Sequence, residues 1–293
     1  MALSKLQFKS GVDREVTSYS NEGGWFDVDK VRFRSGFPEK IGGWTRYTQE
    51  QFLGSCRAMH SWVALDGTRL LGIGTNKKYY IESGGTLNDI TPIESTNTAT
   101  NPFTARHTTL HATQVSATDA SIKLVNNTAG TAFSPSGTIK IGSEIITYSG
   151  VSGDTLTGCA RGQKGTTAAV HSGGAAVSSS TIKVTHSGHS PSLNGFVIIS
   201  GASSLGGNIG TSIINQEYEV TAITSGTTYQ IEARTVSTIQ YITTSTGTNP
   251  EYVFSSSQDT SNGGSVTFNY LVLSGLDTTI LGTGFGAGAW SRG

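Results

Sequence analysis

Charge is scarce in this chain. Asp, Glu, Lys and Arg make up 14% of its 293 residues, and the 20 basic and 20 acidic side chains cancel. Bulk, salt-sensitive nucleic-acid binding needs a basic face, and no such face is expected here. Disorder pairs low hydrophobicity with high charge or abundant proline; here Pro occurs 6 times, and Val, Ile, Tyr and Phe recur in short bursts. Cysteine is limited to Cys56 and Cys159, too few and too far apart for a disulfide framework. No run of about 18 apolar residues exists, so no membrane-spanning helix is expected. Met1 to Ser10 lacks the apolar stretch of a signal peptide, so synthesis in a cytoplasm is expected.

Catalytic signatures are also missing. The Gly-x-Ser-x-Gly elbow does not occur. Gly162 to Thr167 fails the spacing of a phosphate loop and reads as a tight turn with Lys164 exposed. Gly284 to Ala289 lacks the acidic strand end that a dinucleotide fold requires. The sequon at Asn126 has meaning only in a secreted protein. His107 and His111 would share one face on a helix, yet their Thr-rich surroundings offer no third ligand. Glycoside hydrolysis needs paired carboxylates, but Asp66, Glu82, Glu144 and Asp154 fall in different elements. Glu217 and Glu219 share a strand face and read as an exposed acidic face. No catalytic, cofactor-binding or metal-binding residue is assigned, and the chain is not read as an enzyme.

What is present is glycine, 38 residues of it, interleaved with Ser, Thr and short β-branched or aromatic runs. The expectation is an all-β fold of short strands joined by turns. A chain without net charge has little to repel its neighbours, which suits a subunit of an assembly. Between Trp25 and Tyr47 aromatics and charges interleave, and Val31 to Ser35 alternates with Arg32 and Arg34 in a period of two. Cys56 to Ala64, Arg69 to Gly74 and Lys78 to Glu82 follow as strands, with Asp66–Gly67 as a primed hairpin turn. Closing at Asn88 to Pro92, this meander reads as one blade of a β-propeller. The polar stretch Ile93 to Thr109 has no period and reads as a linker. Two small antiparallel β-modules, barrel- or sandwich-like, are expected next, and Val266 to Leu273 is a clear strand.

Several segments resemble phage structural proteins. YSNEGGWFDVDKVRFRSGFPEKIGGWTRY (residues 19–47) resembles the opening of the tail nozzle, or tail tubular protein B, family of short-tailed phages. IGSEIITYSGVSGDTLTGCARGQKGTTAAVHSGG (141–174) is similar to a virion module with the pattern G-x-E-x-I-x-Y … L-x-G-x-x-R-G-x-x-G-T. HSGHSPSLNGFVIISGA (186–202) with INQEYEVTAITSGTTYQIEA (214–233) is similar to a second virion module, in which His189 would be a structural turn residue. GTGFGAGAWSRG (282–293) is similar to a Gly/Trp-rich segment that returns to the propeller.

The resemblance implies four divisions: an N-terminal segment and partial propeller blade over 1–97, inserted modules over 98–180 and 181–262, and a return strand with the Gly/Trp segment over 263–293. It implies a virion tail protein, assembled in the bacterial host cytoplasm, most simply the nozzle around the DNA-ejection conduit. The expected partners are copies of itself in a homo-oligomeric ring (six by family analogy), adaptor or portal-proximal proteins and tail fibres. DNA would pass without specific binding, host cell-surface glycan is a further candidate, and no membrane insertion is expected. Relatives continue into further blades, so the chain is expected to be a front portion of a propeller subunit. A receptor- or glycan-binding tail appendage and a capsid-decorating protein are the alternatives. Trp25, Asp27, Asp29, Arg32, Arg34, Glu39 and Trp44 are the candidate subunit-interface residues, with Arg32 and Arg34 expected to bridge to the acids of a neighbouring subunit.

Overall fold

A computed structural model describes residues 9–17, 19–21, 23–43, 45, 48, 50–127, 133–187, 192–236 and 251–273. The chain is all-β, in antiparallel sheets, and it divides into two units, 1–47 and 48–293. No sheet among the described residues closes into a barrel.

The first unit is organised by one hairpin, β1 (Val31–Arg34) and β2 (Phe37–Lys40). Ser35 and Gly36 both take positive φ (49° and 85°), the primed turn whose twist matches the flanking strands.

The second unit opens with a meander: β3 (Cys56–Val63), β4 (Arg69–Thr75), β5 (Tyr79–Ser83) and β6 (Thr86–Asp89), paired in chain order. The turn at Asp66–Gly67 differs from expectation in type. Gly67 N–H donates to Ala64 C=O, and only Gly67 has positive φ (84°), so a type I turn is followed by a left-handed glycine. Asp66 accepts the Thr68 N–H at 2.9 Å, a bond that holds an aspartate in that turn.

Next come β7 (Ile93–Thr100), β8 (Phe103–Thr104) and β9 (His107–Thr109). The first module holds β10 (Ser121–Lys123), β11 (Gly137–Ile141), β12 (Glu144–Tyr148), β13 (Gly150–Ser152), β14 (Thr155–Thr157), β15 (Ala160–Gln163) and β16 (Ala176–Ser179). The second holds β17 (Thr181–Thr185), β18 (Phe196–Ser200), the single-turn α1 (Thr211–Ile214), β19 (Glu217–Glu219), β20 (Ala222–Ser225), β21 (Thr228–Glu232) and β22 (Ser265–Leu271).

The stretch Ile93 to Thr109, expected to be a linker, is instead a spine. β7 pairs with β22, β8 with β17 and β9 with β16, so it supplies one edge strand to each of three sheets. Its alternation is of polar and small residues, with Ser95, Asn97 and Ala99 half-buried, so backbone pairing and not apolar burial fixes it. β22 lies between β18 and β7 in the order β19-β18-β22-β7, inside a sheet of the second module.

Two separate cores result. Ile139, Ile141, Ile146, Leu156 and Val177 centre the first, between sheets β15-β12-β11-β16-β9 and β10-β14-β13. Phe103, Ile182, Val197, Tyr229 and Phe268 centre the second, between sheets β20-β21-β17-β8 and β19-β18-β22-β7.

Candidate functional site

The β1–β2 hairpin sets Arg32 opposite Glu39 and Arg34 opposite Phe37. Arg32 Nε donates to Glu39 Oε2 at 3.2 Å, so this pair forms within the chain. Asp27 is met by Arg14, and Asp29 has Lys30 at 3.8 Å. These six side chains are 42–87% exposed, where such pairs contribute about 0–1 kcal/mol. Trp25 is half-buried, its ring 6.2 Å from Phe33. Arg34 is exposed and makes no ion pair among the described residues. Trp44 and His189 lie outside the described residues, as do Gly282 to Gly293. His107 falls on strand β9, so its spacing to His111 is not the helical one of a metal pair.

Buried polar clusters hold most of the remaining chemistry, and sequence reasoning missed their composition. The first explains the Glu144 motif. Glu144 is 1% exposed, and its carboxylate accepts Arg161 Nε and Nη2, both at 2.8 Å. Gly162 N–H (2.9 Å), Ala169 N–H (3.0 Å) and His171 Nε2 (2.7 Å) complete the shell. Arg161 also donates to the carbonyls of Ala169 and Ser116. Burial alone would push the Glu144 carboxyl up, but the bonds from Arg161, Ala169, Gly162 and His171 outweigh it and hold it at about 2. Gly162 has φ +60°, and a Cβ there would meet Ala168 N at 2.9 Å, which explains the glycine after the arginine. Beyond it, Lys164 and Gly165 form the expected tight turn, closed by Thr166 N–H on Gln163 C=O.

A second cluster ties the meander to the second module. The Lys78 ammonium is fully buried between Asp89 and Glu217, 5.0 Å from the Phe196 ring centroid. Lys77 reaches Glu219 at 2.6 Å. The two strand carboxylates read as an exposed acidic face are therefore ion-paired and less than a third exposed. Burial raises the Glu217 pKa against the pull of Lys78.

The third cluster is a chain of rings: His186 Nδ1 lies 3.0 Å from Tyr270 Oη, which lies 3.0 Å from Tyr229 Oη. His186 stacks on Phe268 at 5.1 Å, and burial lowers its pKa, which favours the neutral imidazole. Asp259 forms the fourth, accepting N–H bonds from Gly207, Asn208, Ile209 and Ser256 at 2.7–3.0 Å.

The last cluster sits where the modules meet. Glu232 accepts Ser180 Oγ and Thr181 Oγ1, each at 2.6 Å, and burial raises its pKa. Tyr148 Oη is buried with no hydrogen-bond partner among the described residues. Above the seam, Lys164 of the first module and Arg234 of the second both approach the Tyr252 ring, at 5.5 and 4.2 Å. Glu144 and Asp259 have their acceptor capacity filled by donors of the chain itself. These two clusters lock loops and strands in place, and neither offers a free base to a substrate. His171 and Ser116 leave no local signal, since their partners lie 27 or more residues away, and Lys78 joins Asp89, 11 residues on, to the distant Glu217.

No protein-family model, curated protein or solved structure matches the chain.

Proposed function

We propose that this chain is a structural subunit of a bacteriophage virion tail, with the nozzle around the DNA-ejection conduit as its position. The observation that carries the reading is the order of four resembling segments along one sequence, from Tyr19–Tyr47 through the two modules to Gly282–Gly293. The four-stranded meander β3–β6 is the element that would serve as a propeller blade. Compact β-modules with locked turns suit a mechanical role, in which rigid bodies carry contact surfaces for fibres or neighbours.

The test is cryo-EM of purified virions carrying a small tag on this chain. Density for the tag around the tail channel supports the reading. Density only on the capsid shell, or at the tip of a lone fibre, replaces it with a decorating protein or an appendage.

A further inference from the structure

We propose that the chain closes an amide bond within itself, between Lys78 Nζ and the side-chain carboxyl carbon of Asp89, with Glu217 as the proton relay. Among the described residues Lys78 is the one buried lysine; its ammonium contacts Asp89 Oδ2 and lies 2.5 Å from Glu217 Oε1. Three elements bring these groups together: Lys78 stands in the turn before β5, Asp89 ends β6 and Glu217 begins β19. The buried Phe196 ring has its centroid 5.0 Å from the nitrogen and belongs to an apolar cluster with Leu53, Ile198 and Leu271.

As a plain ion pair this arrangement is a weak device, because desolvating buried charges offsets their attraction. Condensation removes the ammonium and one carboxylate together and leaves a neutral amide. Lys77 supplies the contrast. It meets a single carboxylate, Glu219, with both side chains 29% exposed, and is an ordinary ion pair. The other buried carboxylates, Glu144, Glu232 and Asp259, are met by guanidinium, imidazole, hydroxyl or backbone N–H groups, and none of those partners is an amine.

The two carboxylates are set for different roles. Asp89 Oδ1 accepts the Thr91 N–H at 2.9 Å and the Thr91 hydroxyl at 2.6 Å. Both donors are aimed where negative charge gathers as the carboxyl carbon becomes tetrahedral. Oδ2, on the Lys78 side, is the leaving oxygen. Burial raises the Glu217 pKa, which suits a group that takes up a proton and returns it. Glu217 takes one proton from the ammonium, the freed lone pair of Nζ attacks Asp89 Cγ, and the Cγ–Oδ2 bond breaks. Oδ2 departs as water with two of the ammonium protons, passed through Glu217, and the third stays on the amide nitrogen. No oxidant, metal or nucleotide enters the balance. Oriented groups held in contact reach effective concentrations of about 10⁵–10⁸ M, which offsets the preference of water for the free ions. The Asp89 side chain, 23% exposed, gives the water a way out. The bond would staple the edge strand β6 to the start of β5, and the proposal does not depend on the virion reading.

The experiment is mass spectrometry of the purified full chain, which should weigh one water less than its sequence. Cyclisation at Asp66–Gly67 would give the same loss, so the site is read from fragments. Trypsin cuts after Lys77 and leaves an amide-linked Lys78 uncut, while a glutamate-specific protease cuts after Glu82 and Glu94. The product should be 78–82 joined to 83–94 through Lys78 and Asp89. Glu217→Gln keeps the side-chain shape but loses the relay, and its two fragments should separate. Should E217Q fail to fold, Thr91→Val, which removes one donor at Oδ1, takes its place and should lower the linked fraction. Separate fragments from wild type, a bond from Lys78 to Glu217 instead, or full linkage in the folded variant each overturns the proposal.

Discussion

Replacing Glu144 with glutamine keeps the shape of the side chain and removes its charge, leaving the Arg161 guanidinium buried opposite a neutral amide. Breaking a buried, hydrogen-bonded pair on one side costs about 3–5 kcal/mol, and that loss is expected near pH 7. The pH dependence is more diagnostic than the magnitude. The folded carboxyl is held at about 2, below its ordinary 4.5. A depressed folded pKa contributes stability that is fully present above 4.5 and is lost as pH falls toward 2. At about 1.4 kcal/mol per pH unit, the contribution is roughly 3 kcal/mol. Urea unfolding of wild type and E144Q across that range should give a stability difference that is constant above pH 5 and shrinks by about that amount near pH 2. Other carboxylates cancel in the difference, because both proteins share them. A difference that stays flat from pH 7 to pH 2, or one below about 1 kcal/mol at pH 7, would refute the argument that this cluster locks the first module.

Lys78→Met should leave Asp89 and Glu217 without their shared cation and cost about 3–5 kcal/mol; limited proteolysis should then cut between the meander and β7, and an unchanged cleavage pattern counts against that seam. Glu232 has the opposite sign to Glu144: its raised folded pKa costs stability as pH rises above the ordinary carboxylate value, so E232Q should raise the melting temperature at pH 7 and have no effect near pH 3. A lower melting temperature at pH 7 would show that the charge itself is needed. Cys159 is buried and its thiol is pushed up to about 11 by burial, whereas Cys56 is exposed. A disulfide dye should therefore titrate one thiol in the native chain and two in denaturant, and two fast thiols would show that the first core opens readily.

The sequence exposes what is local. The Val31–Ser35 alternation, the meander strands β3 to β5 and strand β22 follow from turn residues and two-residue alternation over short spans. The Glu144–Gly162 pattern was visible as a motif, yet its meaning was not, because a buried ion cluster is defined by what surrounds it. His171 and Ser116 enter that cluster from 27 residues after and 28 before Glu144, with no periodicity to announce them. Lys78 and Glu217 are more distant still, and a lysine in a Asn-Lys-Lys turn looks like a solvated charge. The β7–β9 spine was hidden for another reason. Thr, Ser and Asn on an edge strand satisfy the backbone ladder without an apolar face, so the hydrophobic pattern is silent where the hydrogen bonding is complete.

The placement of these clusters follows from the size of the cores. Each module encloses one modest core, and small sheets bury too little apolar area to fix their mutual angle by area alone, since the hydrophobic effect has no direction. Hydrogen-bonded buried charges do have direction. Lys78 sits between the meander and β19, and Glu232 with Ser180 sits where β16 passes into β17. The β7–β9 spine then adds an edge strand on either side of that second joint. A substitution in a core should loosen one module and leave its neighbours folded. A substitution at Lys78 should leave each core intact and release the angle between the meander and the second module. Under the proposed virion reading, in which several surfaces are presented at once, those angles matter more than the stability of any single module.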